Sequence, residues 1–400
     1  MENYGIFKHL CNENDYSAMA KVLNSARGSK ETRKTLKPIT HKNICFGHMG
    51  QLLIQDGIAY ASFLQNYGDD GESHASTTNN VVLSVFSVDR AMADDFDPDK
   101  DAVVYPIGNK GDSCAGYTAS SIYKDNSMCL IGDTLYICFS FTAEDGISRT
   151  FCKSFDIQSR TWLNETVVTL QYQGQNMDFS DASLNKIYES IGIEPRAKSL
   201  IELVSAWNEY QGEYYATGIT CGGPCHGFIV KTKDFCTMEF VDAIPFNDMG
   251  TAEIGSYIFQ DKLSVACRQD YSIPYLYLGA LNLKTMKWDK HYKLADGNAR
   301  PWFFEYKDEL YLWNTCAEAH RRYANISKVR TTKDTYPFYD DFHPVEIMAT
   351  LKDCGYYYST AMHNGDIYYV SSTGLISFGK LCLDFFDEDE ISEKLLSMFE

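Results

Sequence analysis

Short apolar runs, near-alternating in polarity, recur along most of the chain, each folded about turn-forming residues. Gly50-Gln-Leu-Leu-Ile-Gln-Asp56-Gly57-Ile-Ala-Tyr-Ala-Ser62 reads as a hairpin turning at Asp56-Gly57. The form returns in Met128–Cys138 about Gly132-Asp133 and in Val204–Thr217 about Gly212. It returns again in Gly255–Cys267 about Gln260-Asp261, in Pro301–Trp313 about Asp308, and in Thr360–Val370 about Gly365. Gly, Asp and Asn tolerate the dihedrals of tight turns. Further strands follow most hairpins, as in Val81–Val88, Thr150–Ile157, Gly227–Thr232 and Leu276–Leu283. Asp156–Trp162 and Asn282–Trp288 look equivalent: each follows an outer strand, turns, and presents a Trp at the same offset.

Six sheets of about four strands, set radially, predict an all-β six-bladed β-propeller over residues 44–386. Residues 1–43 read as a short helical arm, with a helix at Ser17–Leu23 and a basic, polar strap at Ser29–Lys37. The wide spacing before Gly212 holds Asp181–Ile191, a helical insertion capped by Ser180 or Asp181. Residues 387–400 read as an acidic-capped C-terminal helix.

Composition narrows the function. A formal net charge of -18 argues against nucleic acid or an anionic membrane surface as partner. No apolar run is long enough to span a bilayer, so membrane insertion is not expected. The 13 cysteines follow no framework spacing, and Cys129, Cys138 and Cys267 sit in apolar strands as buried thiols do. With no basic, apolar leader at Met1, the expectation is a cytoplasmic protein in a reducing compartment; export stays open if a leader was trimmed. The 28 tyrosines suit strands first and permit a sugar-stacking site second.

In a propeller the inner strand ends converge on one funnel. Its candidates here are His48, Asp125, Glu202, Glu253, Arg268, Arg300, Arg322 and Tyr356 to Tyr358. Glu253 opens one strand of a hairpin and Arg268 closes the other, so the two ends lie side by side. A simple rim ion pair accounts for them as well as a catalytic site does.

This hairpin resembles the sialidase (neuraminidase) pattern, in which a Glu opens an inner strand and an Arg closes the next. Arg321-Arg322-Tyr-Ala-Asn325 is similar to the family segment where an Arg precedes an Asn-Leu strand. Gly355-Tyr-Tyr-Tyr358-Ser359, before Asn364-Gly365, resembles the family's Tyr-Ser ahead of an inner hairpin. The resemblance, to a divergent member of the sialidase-like BNR-repeat superfamily, implies a glycoside hydrolase acting on a carbohydrate or glycoconjugate that bears a carboxylate. It implies Tyr356 or Tyr358 as nucleophile, Glu253 as its polarising partner, and Arg268 and Arg322 on the substrate carboxylate. A neutral phenol can approach an anomeric centre whose neighbouring carboxylate would repel an anionic nucleophile.

Two departures stand out. Where the family places its first arginine, this chain has Phe46-Gly47-His48-Met49-Gly50, and histidine lacks the bidentate fork of a guanidinium. The acid falls to Asp69, Asp70 or Glu72, in a loop without a clean match to the family. Arg300 joins the substrate-binding candidates, with the capping of a neighbouring blade as its plain alternative.

Asp95-Phe-Asp97-Pro-Asp99-Lys-Asp101 lacks the Gly and terminal Glu of a calcium loop and reads as solvated. Cys221-Gly-Gly-Pro-Cys225-His226 lacks a second ligand pair for zinc. No phosphate or dinucleotide fingerprint occurs, so neither metal nor cofactor is expected. Two other functions fit the same architecture. One is a polysaccharide lyase using His48, His74 or His363 with a tyrosine and an arginine. The other is a non-catalytic sugar- or protein-binding propeller.

Overall fold

The computed structural model describes residues 32–36, 46–66, 80–121, 123–195, 200–203, 205–221, 226–245, 251–269, 275–289, 291–295, 300–315, 323–329, 345–352, 356–372 and 376–381. The helix expected at Ser17–Leu23 and the C-terminal helix lie outside these residues. What is described is an all-β propeller with few helices.

Backbone pairing sorts the strands into six sheets of four or more strands and one two-stranded ribbon. The first sheet is Phe46–Gln55, Ile58–Asn66, Asn80–Ser87 and Ala102–Asn109. The second is Lys124–Ile131, Thr134–Thr142, Ser148–Asp156 and Thr161–Val167. The third is centred on Leu200–Leu203, Glu213–Cys221, His226–Thr232 and Thr237–Ala243; its outer edge is extended by Thr169–Tyr172, which runs parallel to Thr237–Ala243. The fourth is built on Thr251–Phe259, Lys262–Gln269 and Tyr275–Asn282. The fifth is Trp302–Tyr306, Glu309–Thr315, Tyr323–Val329 and Val345–Lys352.

The sixth sheet is different. Tyr356–His363, Asp366–Ser372 and Ile376–Leu381 are completed by Thr32–Leu36, which pairs antiparallel with Ile376–Leu381. The sequence suggested six self-contained units. Five sheets are self-contained, and the last is shared between the two ends of the chain. The polar stretch Ser29–Lys37, expected as a strap, thus supplies an outer strand.

Side chains alternate across each strand, and both faces of a sheet are covered by its neighbours. In Glu309–Thr315, Leu310 and Leu312 pack toward the fourth sheet, while Tyr311 and Trp313 pack toward the sixth. The core is accordingly a ring of six apolar clusters, one at each seam. Among the described residues Cys114, Cys129, Cys138, Cys152 and Cys267 are free thiols buried in it, and burial pushes the Cys129 thiol up to about 12.

Polar bonds cross the same seams near the axis. Gln51 Oε1 accepts from Met128 N at 2.9 Å, and Trp207 Nε1 donates to Ser127 Oγ at 3.1 Å. Ile258 N donates to Asn208 Oδ1 at 3.2 Å, and Tyr257 Oη to Glu305 Oε2 at 3.3 Å. Trp302 Nε1 donates to Thr360 Oγ1 at 3.0 Å, and Leu52 N to Ser359 Oγ at 3.0 Å. Every pair of neighbouring sheets is joined in this way.

The turns are where the sequence put them. Asp56-Gly57, Gln211-Gly212, Gln260-Asp261, Lys307-Asp308 and Asn364-Gly365 all have positive φ at both residues, the twist that suits a tight hairpin. The insertion is the helix Asp181–Ser190, and Ser180 Oγ caps it by accepting from Ser183 N at 3.2 Å. The two Trp turns are equivalent: Trp162 pairs with Phe155 and Trp288 with Leu281 on outer strands. In each turn a leading side chain accepts from the amide three residues on, Asp156 from Ser159 N and Asn282 from Thr285 N. Among the described residues no helix is long and apolar enough to cross a membrane.

Asp308 sits at φ 61, a conformation in which a side chain costs energy and glycine does not. Asp308→Gly should raise unfolding stability by roughly 0.5–1 kcal/mol in urea titrations.

Candidate active site

Four of the innermost strands slip register near their start. The slips fall between His48 and Gln51, Lys124 and Ser127, Thr251 and Ile254, and Tyr356 and Ser359. Each is a bulge in which two residues face one on the partner strand, and a bulge re-aims side chains that plain alternation would send elsewhere. Ala252 and Glu253 occupy the bulge of the fourth sheet, opposite Arg268. Tyr357 and Tyr358 occupy that of the sixth, opposite Ser371.

Glu253 is 7% exposed, and its Oε2 lies 2.8 Å from Arg268 Nη1. The Tyr357 hydroxyl hydrogen-bonds the same carboxylate. Arg300 is fully buried, with its guanidinium carbon 5.7 Å from the centre of the Tyr357 ring. Burial alone would raise the Glu253 carboxyl. The Arg268 guanidinium, then that of Arg300, outweigh it, and hydrogen bonds from Arg268 and Tyr357 add to them, so the group is held below its usual 4.5. Glu253 is therefore an anion and accepts only.

Tyr357 has φ 58, a left-handed conformation that a bulky residue adopts at a cost of about 1–3 kcal/mol. The bulge imposes it, and it delivers the phenol to Glu253.

Arg300 arrives by a close approach. A Cβ on Gly255 would stand 2.2 Å from Pro301 O, so only glycine lets the two inner strands meet here. The ring of Pro301 in turn favours an extended backbone at Arg300.

The residues singled out from the sequence divide as follows. Glu253 and Arg268 meet. Arg300, expected to bind substrate, has no exposed surface and stands behind the pair, where its charge acts on Glu253. Tyr358, one of two expected nucleophiles, is fully buried and stacks on Trp313 with ring centres 4.1 Å apart. The phenol that reaches Glu253 is that of Tyr357, the residue between the two proposed. Tyr356 and His48 lie on inner strands, but their side chains are outside the described residues, as are Arg322, Asp69, Asp70, Glu72 and His74.

The acidic loop is tied down by its own cations. Arg90 bridges Asp95 and Asp101, and Lys100 meets Asp97 at 2.6 Å. Among the described residues no group of three or more His, Cys, Asp and Glu side chains could hold a metal ion.

Comparison of the whole chain with solved structures bears on this arrangement. A Trypanosoma rangeli sialidase matches with a TM-score of 0.60 at 12% identity, over 92% of this chain and 62% of that one. The Hadza microbial sialidase Hz136 matches with a TM-score of 0.61 at 11% identity, over 87% and 68%. The fold is that of the sialidases. A Dyadobacter fermentans protein of unknown function shares this sialidase-like fold, with a TM-score of 0.57 at 10% identity over 87% of this chain and 98% of that one. The chain spans about three fifths of the T. rangeli sialidases. No protein-family model matches the chain, and no curated protein matches it in sequence.

Removing one member of a buried ion pair strands the other. Arg268→Met should cost about 3–5 kcal/mol of stability at neutral pH. Glu253 binds its proton more weakly in the folded chain than in the unfolded one. Its contribution is therefore complete above pH 4.5 and disappears as pH falls through the lower folded value. The gap between wild type and Arg268→Met, followed by urea unfolding, should be widest near neutral pH, begin to narrow above pH 4.5 as the stranded Glu253 of the variant takes up a proton, and narrow further below it.

Proposed function

We propose that this chain is a sialidase-like glycoside hydrolase whose substrate is a carbohydrate bearing a carboxylate. The observation that carries the reading is the hydrogen bond from the Tyr357 phenol to the buried, ionised Glu253 beside Arg268. Tyr357 is the nucleophile. Its oxygen bonds to the anomeric carbon while the glycosidic C–O bond breaks, and its proton passes to Glu253. The leaving oxygen takes a proton from an acid, for which Asp69, Asp70 and Glu72 remain the candidates. A guanidinium has five donors, so Arg268 can hold Glu253 and a substrate carboxylate together, with Arg322 as its partner. The solved T. rangeli sialidases include one with sialic acid and one with 2,3-difluorosialic acid as a covalent intermediate, which supports a sialic-acid-type substrate for this chain.

We read the composite sheet as the sixth blade. On that reading the propeller runs from Thr32 to Leu381, and Tyr357 and Glu253 face one another across its axis.

Tyr357→Phe should lower turnover of an aryl α-glycoside of N-acetylneuraminic acid by at least about a hundredfold. The circular dichroism spectrum should be unchanged. Tyr358→Phe should keep turnover within a few-fold. Full activity in Tyr357→Phe would remove the assignment, and an ultraviolet-absorbing unsaturated product would mark a lyase instead.

A further inference from the structure

We propose that Arg300 is a positioning residue: its buried guanidinium, set over the Tyr357 ring and beside Glu253, holds the phenol and the carboxylate in register and favours negative charge on the phenol oxygen during attack. This rests on the reading of Tyr357 as the nucleophile.

Several observations converge on it. Arg300 is fully buried, so its charge faces protein rather than solvent. A cation 5.7 Å from a ring centre is within the range of cation–π attraction, which here favours one ring orientation. Tyr357 needs that help, because its own backbone at φ 58 is strained. Arg300 also acts on Glu253 directly, ranking behind only Arg268 among the charges that hold the carboxylate ionised. Its delivery depends on Gly255, whose missing side chain admits Pro301. Among the described residues, the charged and titratable groups that act on Glu253 are Arg268, Arg300 and Tyr357, drawn from the fourth, fifth and sixth sheets.

The chemistry gives Arg300 a specific job. When Tyr357 attacks, its proton moves to Glu253 and electron density gathers on the phenol oxygen until the bond to carbon forms. Without Arg300, Glu253 would share its one strong cation, Arg268, with the incoming substrate carboxylate. A second, permanent cation behind the ring keeps the field positive without blocking the face that substrate approaches.

The test separates this claim from the reading it rests on. Tyrosine labelled at Cζ with carbon-13 reports phenol ionisation by NMR, and Tyr357→Phe identifies the Tyr357 signal. In Arg300→Met its titration midpoint should move up by at least about one unit, a tenfold shift in the ionisation constant. Arg300→Lys, which keeps the charge, should restore most of the shift. With the aryl sialoside, Arg300→Met should lower kcat by about tenfold or more with KM within about twofold. If Arg300→Met does not fold, Arg300→Gln is read in its place. An unchanged Tyr357 midpoint in a folded, uncharged variant overturns the proposal. So does a loss confined to KM, which would make Arg300 a substrate contact. If wild type does not turn over the sialoside, the hydrolase reading fails, while the NMR titration still decides whether Arg300 acts on Tyr357.

Discussion

A carboxylate inside a protein is tolerable only where opposite charge and hydrogen bonds replace the water it has lost. Glu253 is such a group, and the local structure about it is arranged to meet that demand. Arg268 reaches it from the adjacent strand of its own hairpin, Arg300 from the start of the fifth sheet, and Tyr357 from the bulge of the sixth. Three successive sheets are thereby drawn to one point. The arrangement leaves an ionised acceptor beside a phenol, a pairing through which a proton can pass.

The second requirement is shape. Regular strands would hold every side chain to strict alternation, with half of each inner strand turned toward neighbouring sheets. The bulges relax this at one end only. Below them, alternation resumes and builds the six apolar seams. Within them, Glu253 and Tyr357 turn toward each other. A rigid apolar body and a polar, strained mouth come from the same strands, separated by two or three residues.

How far this could be read from the sequence follows from the range of each interaction. The turns at Asp56-Gly57 and Asn364-Gly365 are local and were legible in full; even Gln260-Asp261 was, because flanking alternation marked its place. The meeting of Glu253 with Arg268 was legible because a hairpin returns its ends to one rim. Tyr357 was not. A period of two pairs Tyr356 with Tyr358, and nothing in three successive tyrosines signals an extra residue in the ladder. The placing of Arg300 depends on a close approach at Gly255 that spacing alone does not encode. Thr32–Leu36, a short polar strand, was misread because its partner lies at the far end of the chain.

That last pairing has a consequence for how the molecule comes into being. A ribosome delivers the first sheet's strands, then Glu253 and Arg268, and only much later the segment that carries Tyr357. The outer strand that clasps that segment is made before every other strand described. Such extreme contact order slows folding and leaves an unpaired sheet edge until the ring shuts. Until then the buried carboxylate has no phenol beside it, so a nascent or clipped chain would hold most of the fold while lacking the phenol that meets Glu253.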